Sequence, residues 1–156
     1  GLLTDAVIKA LSLSGSFKYV CNNGDYTLKG EVIESKIQQT GYEYDKTITT
    51  GERINRLIPN EGRAEKAALI SLIDTSSGKT VYGPFSVKAS SDFDFVNTDS
   101  VQSTSFIDFA GNRQSVLFFS LGQLDSEEGA QDISSEAVNK NLSKKIAEGV
   151  QCYFFK

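Results

Sequence analysis

Two helix-type patterns enclose a region of strand-type patterns, and this order is the strongest constraint on the fold. Residues 2–13 carry apolar residues at the spacing of one helical face, namely Leu3, Ala6, Val7, Ala10 and Leu11. Residues 127–150 repeat the signal with an apolar stripe at Val138, Leu142, Ile146 and Val150. Because the strands are grouped between two terminal helices, the sequence predicts an α+β fold. We expect both helices to pack on one face of a mostly antiparallel sheet of three to four strands.

The region between the helices contains three strand patterns. The segment "GDYTLKGEVIES" predicts a strand from about Tyr26 to Ile37, with Gly30 on its buried face as a packing site for a helix. In residues 64–90, two apolar runs flank "DTSSGK", which predicts a hairpin with a connection of five or six residues. The first run is apolar on both faces and should be central. Pro84 should lie at an edge or a bulge of the returning strand.

Three other segments lack a clean periodicity. Residues 38–63 are polar and contain Gly41, Gly51, Pro59 and Gly62, which favours a long mobile loop between two strand ends. Residues 91–114 are expected to form a loop or an irregular excursion. Residues 115–124 weakly favour a helical turn, and "CYFF" at 152–155 is expected to be extended.

Composition excludes several classes of function. The chain has no histidine, which removes Ser-His-Asp and Cys-His catalysis and most zinc sites. A net charge of −4 argues against a broad nucleic-acid surface, and no apolar run reaches the ~18 residues of a membrane span. With 156 residues, the chain is expected to be a single domain, 1–156. We therefore predict a binding, structural or assembly role, with no enzyme activity, cofactor or metal site.

The sequence does not decide whether the two cysteines are free thiols or form a disulfide. Cys21 and Cys152 are far apart in the sequence, so they are either two thiols or one bridge in an oxidising compartment.

A cluster of positive residues supplies the candidate contact site. Arg53, Arg56, Arg63 and Lys66 lie in and directly after the predicted loop, with glutamates between them. One interpretation is a solvated mixed-charge loop. The functional interpretation is a basic loop that contacts an anionic ligand or partner, because guanidinium groups bind such groups in a bidentate manner.

The order of four segments resembles a known family. These segments are "LLTDAVIKALSLSGSFKYV", "GDYTLKGEVIES", "AALISLIDTSSGKTVYG" and the closing helix "SSEAVNKNLSKKIAEGV". Together they resemble the LptE-type lipopolysaccharide-assembly lipoproteins of Gram-negative outer membranes. The resemblance covers most of the chain, and residues 91–125 match least well.

The resemblance implies a non-enzymatic lipoprotein domain at the periplasmic face of the outer membrane. It implies an anchor cysteine and a first strand upstream of this sequence, and membrane attachment only through that lipid anchor. The implied partners are an LptD-like β-barrel, which the domain plugs and helps to assemble, and lipopolysaccharide. An alternative is a generic cell-envelope interaction domain, similar to the TolB N-terminal domain or to CsgG, that binds a partner by its sheet edge.

Overall fold

The computed structural model describes residues 1–47, 49–97, 99, 105–115 and 126–155. Their elements are α1 (Leu2–Leu13), β1 (Tyr26–Lys46), β2 (Arg53–Asp74), β3 (Thr80–Asp94), β4 (Ser105–Ile107), β5 (Arg113–Ser115) and α2 (Glu127–Phe154). β1, β2 and β3 form an antiparallel sheet in that order, and β4 and β5 form a second, two-stranded sheet. The α+β fold predicted from the order of the patterns is confirmed.

The expected long loop at 38–63 is wrong. β1 runs on to Lys46 and β2 begins at Arg53, so most of that segment is paired strand. The short connection is closed by the N–H of Thr47, which donates to the carbonyl of Glu52 at 2.9 Å. Strand pairing satisfies the backbone of this polar segment, although its side chains show no apolar alternation.

The hairpin at 64–90 is confirmed. β2 ends at Asp74 and β3 begins at Thr80, and β2 lies between the other two strands of its sheet. Pro84 lies in β3, which is an edge strand of this sheet and tolerates a residue without an N–H.

The irregular region at 91–114 contains regular structure that the sequence did not predict. β3 continues to Asp94, and β4 pairs with β5 so that Ser105 opposes Ser115 and Ile107 opposes Arg113. Most of the predicted helical turn at 115–124 lies outside the described residues.

α2 carries the apolar stripe that the sequence predicts. Val138, Leu142, Ile146 and Val150 are all at most 3% exposed. The expectation of an extended tail at 152–155 is wrong, because the helix continues to Phe154. Aromatic contacts hold this last turn: the Tyr153 ring stacks on Tyr82 with centroids 4.9 Å apart. Within the described residues, neither helix has both the length and the apolar character needed to cross a bilayer.

The glycine that brings a helix close to the sheet is Gly149, not Gly30. A Cβ on Gly149 would lie 3.1 Å from the ring of Phe85 in β3. A Cβ on Gly30 would meet the Ile70 side chain of β2 at 3.3 Å, and among the described residues no helix atom lies within 4 Å of that position. Gly30 therefore makes room for a neighbouring strand's side chain.

The chain divides into two compact units. Unit 1 contains Gly1–Lys36, Glu65–Ser91 and Ser135–Lys156, and unit 2 contains Ile37–Ala64 and Asp92–Ser134. Unit 1 has a core formed by β2, β3 and α2, with Ala68, Ile70, Leu72, Val87, Leu142 and Ile146 among its buried residues. Unit 2 buries Ile58, Ala64, Phe95 and Ala130. The expectation of one domain over 1–156 stays a prediction.

Candidate functional site

All four predicted contact residues lie on β2. Arg53, Arg56 and Arg63 belong to unit 2, and Lys66 belongs to unit 1. A strand holds its side chains at fixed spacing, so these residues are better ordered than residues of a mobile loop would be. Each of them already has a partner within the chain, and these partners limit what a ligand could reach.

Arg53 and Arg56 are held by neighbours in β1. The guanidinium of Arg53 stacks over the Tyr44 ring, 3.4 Å from its centroid, as a cation–π contact. An Arg56 guanidinium nitrogen lies 3.5 Å from a carboxylate oxygen of Asp45, which is 1% exposed. Arg56 itself is 54% exposed, so it neutralises a buried acid and still presents N–H donors to solvent.

Arg63 and Lys66 are also engaged. Arg63 makes a bidentate pair with Asp92 of β3, in which Nε donates at 2.5 Å and the second nitrogen at 3.1 Å. The Nζ of Lys66 donates to Oδ1 of Asn139 in α2 at 2.7 Å. Lys66 is half-buried, and its contact joins β2 to the closing helix of unit 1. The three arginines thus remain the accessible cations of the predicted set.

Acidification should weaken this protein through carboxylates that are hydrogen-bonded in the folded state. The Arg63 guanidinium holds the pKa of Asp92 below its usual value, and the Ser76 hydroxyl with the Ser77 N–H does the same for the pKa of Asp74. A lowered folded-state pKa stabilises the fold above the unfolded pKa, which is about 4, and this contribution is lost as pH falls through the folded value. We expect a thermal midpoint that is flat from pH 7 to about 5 and falls below about pH 4.

The variant Asp92→Asn tests the cause of this pH dependence. It should have a shallower acid limb than the unchanged chain, because one of the linked carboxylates is gone. Thermal unfolding followed by circular dichroism at each pH measures this. An identical acid limb in Asp92→Asn would show that the Arg63 pair contributes nothing.

Unit 1 contains a large open crevice that the sequence did not predict. Its volume is about 1410 Å³, above the roughly 300–1,000 Å³ of ordinary ligand pockets. Apolar side chains from all four neighbouring elements line it: Leu3, Val7 and Leu11 of α1, Leu28 and Val32 of β1, Ala68, Ile70 and Leu72 of β2, and Ile146, Val150 and Phe154 of α2. Both helices therefore lie on the same side of the sheet in this unit.

The helix α1 forms one wall of the crevice without closing it. None of its residues is buried, although its apolar stripe follows the predicted spacing. The stripe is half-buried because it faces the open space rather than packed side chains. Because none of its residues is fully buried, few packing contacts oppose a local displacement of this helix.

Aromatic side chains form one end of the crevice. The Phe17 ring meets the Phe154 ring edge-on at 5.4 Å between centroids, and Tyr26 meets Phe154 at 5.0 Å. Phe155, 65% exposed, lies beside Phe17. The crevice can therefore bind an elongated apolar group by burial and ring contacts, because these are the forces that its walls offer.

The sheet edge beside this crevice exposes apolar side chains among charged ones. β1 is an edge strand of the three-stranded sheet, and Val32 and Ile33 are each 49% exposed. β1 has 21 residues and carries Lys29 and Lys36 beside these apolar side chains, so charge blunts the edge in part while its length leaves a long row of backbone groups for pairing. This edge is a second surface at which a partner could add a strand.

Comparison with known proteins gives a similarity of fold. No protein-family model matches the chain, and no curated protein matches it. Among solved structures it is similar to a candidate lipoprotein from Caulobacter crescentus CB15, with a TM-score of 0.53 and 14% sequence identity. The match covers 97% of this chain and 80% of that chain. The two proteins thus share the same α+β fold along nearly the whole of this sequence.

Proposed function

We propose that this chain is the domain of an outer-membrane lipoprotein that plugs and helps to assemble an LptD-like β-barrel. In this role it assists the transport of lipopolysaccharide to the cell surface. The observation that carries the proposal is the fold match to a candidate lipoprotein over 97% of the chain. The order of the four sequence segments that resemble the LptE-type family adds to it.

The chemistry of the two candidate surfaces suits an amphipathic lipid. The crevice of unit 1 offers apolar and aromatic walls to acyl chains. The exposed guanidinium groups of Arg53 and Arg56 in unit 2 offer N–H donors to phosphates, and Arg63 adds a positive charge while it stays paired with Asp92. We propose these two surfaces as separate contacts, one apolar and one ionic. The role is binding and assembly, without a chemical step.

Removing the three arginine charges should weaken lipopolysaccharide binding by about tenfold, since three exposed charge pairs at about 0.5 kcal/mol each sum to about 1.5 kcal/mol. The triple variant Arg53→Gln, Arg56→Gln, Arg63→Gln is compared with the unchanged chain by titration with purified lipopolysaccharide at low and high salt. Binding by the unchanged chain should weaken as salt rises, because the contact is ionic.

The matched control removes three positive charges from exposed helix positions, as Lys9→Gln, Lys140→Gln and Lys144→Gln. This control has the same net charge as the triple arginine variant and should bind almost normally. Thermal unfolding of both variants checks the fold, because Arg56 and Arg63 also pair within the chain. Equal binding by the two variants would exclude the arginines as the lipid contact.

The barrel partner has its own test. After expression from its native gene, the tagged protein should co-purify with a large outer-membrane β-barrel protein that resists unfolding in detergent until heated. Absence of any such protein would refute the plug role. It would leave the lipid contact standing, because that contact is measured on the purified chain.

A second candidate function rests on the exposed edge of β1. A cell-envelope interaction domain could bind an extended segment of a soluble partner there, through backbone hydrogen bonds and the exposed side chains of Val32, Ile33 and Ile37. This role predicts a water-soluble protein in the same co-purification, and no binding of purified lipopolysaccharide.

A further inference from the structure

The hairpin of β4 and β5 ends in a fully exposed aromatic side chain. Ile107 pairs with Arg113, and residues 108–112 form the turn between them. Phe109 in this turn is fully exposed, and Ile107, two residues before it, is 55% exposed. Isolated apolar side chains at the surface are common, but Ile107 and Phe109 together expose two large apolar side chains at the end of one hairpin, and such exposed apolar groups mark candidate interaction sites.

The turn that presents Phe109 is ordered by Asp108. One carboxylate oxygen accepts the N–H groups of Ala110 at 3.0 Å and Asn112 at 2.8 Å, and the other accepts the side-chain amide of Gln114 at 3.0 Å. The N–H of Asp108 donates to the carbonyl of Asn112 at 2.9 Å. Phe109 is therefore held outward by a defined turn.

This hydrogen-bonding pattern also prepares the apex for an apolar medium. Unpaired polar groups are costly to remove from water, and here the N–H groups of Asp108, Ala110 and Asn112 are already paired within the turn. Phe109 can thus leave water without breaking the bonds that shape the turn.

The charged side chains next to the apex limit how deeply the hairpin can enter an apolar medium. Asp108 and Arg113 carry opposite charges, and Arg113 also donates to the Ser105 hydroxyl at 2.6 Å. The Asn112 N–H and the Gln114 amide hold the pKa of Asp108 below its usual value, so the carboxylate stays ionised at neutral pH. Together these two side chains present both signs of charge, as a zwitterionic headgroup layer does next to hydrocarbon.

We propose that this hairpin is a membrane-contact finger, in which Phe109 and Ile107 insert into the interfacial layer of a lipid bilayer. The charged side chains of Asp108 and Arg113 stay at the level of the headgroups. This contact is apolar and needs neither lipopolysaccharide nor a barrel partner, so it goes beyond the proposed function and does not depend on it.

A tryptophan scan tests the finger directly, because the chain contains no tryptophan. The variant Phe109→Trp places the sole indole at the apex. Mixed with phosphatidylcholine vesicles, its emission should shift to shorter wavelength, and phospholipids brominated along the acyl chain should quench it. The control Tyr42→Trp is on β1 in the same unit and replaces a residue that is 53% exposed. Its emission should not change.

Truncation gives an independent readout. Phe109→Ser and Ile107→Ser should each lower the fraction of protein that co-floats with these vesicles by about tenfold, since each removes most of one inserted apolar side chain. Leu57→Ser, at a residue 57% exposed on β2, should co-float normally. Raising the salt concentration should leave flotation unchanged.

Two results would support the membrane-contact finger, and two would overturn it. A blue shift and quenching at position 109 with none at position 42 supports the finger, and so does loss of flotation confined to the hairpin variants. Equal emission at both positions overturns it. Flotation that requires anionic lipid and vanishes in salt also overturns it, because that would be ionic adsorption by another surface.

Discussion

The variant Gly83→Ala is expected to lose about 2–5 kcal/mol of unfolding free energy, from left-handed strain and a backbone clash together. Gly83 has a φ of +93°, in the region that residues with a Cβ adopt only at a cost. A Cβ there would also lie 2.5 Å from the carbonyl oxygen of Ile70 in the central strand. That oxygen is part of the sheet and cannot move away like the end of a side chain.

Two further glycine variants separate the two causes. Gly78→Ala has a φ of +66° with open space around the Cβ, so it should show the strain alone, about 1–2 kcal/mol. Gly62→Ala has no such φ, but its Cβ would meet the Phe93 ring, so it should show the clash alone. Urea unfolding followed by circular dichroism measures all three. A Gly83 variant no less stable than Gly78→Ala would mean that β2 and β3 are not in the contact described.

The variant Leu142→Ala is expected to cost about 2–5 kcal/mol. Leu142 is 0% exposed and stands at the centre of the buried stripe of α2. Its removal takes buried apolar area from the core of unit 1 and leaves a cavity, because the strands beneath the helix cannot collapse fully into the space.

The control for Leu142 lies two residues further along the same helix. Lys144→Ala changes a side chain that is 77% exposed, and it should alter stability by no more than about 0.5 kcal/mol. The same urea titration compares the two. A loss of under about 1 kcal/mol in Leu142→Ala would contradict the packing of α2 onto the sheet, since buried leucine truncations cost more.

The parts of the fold that the sequence predicted are those in which side-chain periodicity is strong. The stripe from Val138 to Val150 specified α2, and apolar residues on both faces specified the central position of β2. A proline was placed correctly at an edge because its missing N–H excludes it from a central strand. These signals are local, and long-range contacts did not override them.

The sequence-based predictions were wrong where the residues that a segment contacts lie far away in the sequence. Residues 38–46 and 53–63 form paired strand despite their polar composition, because backbone hydrogen bonds between neighbouring strands hold them. Gly41 shows this dependence on a distant partner, because the space that a side chain at residue 41 would need is filled by the side chain of Glu61 on the facing strand. The last turn of α2 likewise persists through contacts with Tyr82 and Phe17, which no window around residues 152–155 could reveal.

The candidate site was likewise predicted only in part from the sequence. Charge clustering in the sequence singled out Arg53, Arg56 and Arg63, but it could not show that Tyr44, Asp45 and Asp92 already engage them. The crevice was not predicted, because each of its walls is a normal amphipathic face by itself. The signal that could have suggested it is the concentration of aromatic residues at 17–26 and 153–155, at opposite ends of the sequence.

By itself the sequence determined the class of elements, the buried face of α2, the central position of β2 and the absence of histidine chemistry. Periodicity and residue chemistry are properties of the chain, so no tertiary contact was needed to see them. Only the tertiary structure decided that the polar segment after residue 37 is strand, that the arginines are paired, and that α1 stands over an open crevice. Each of these depends on which distant residues meet, and burial and pairing across long sequence separations exist only once the chain has folded.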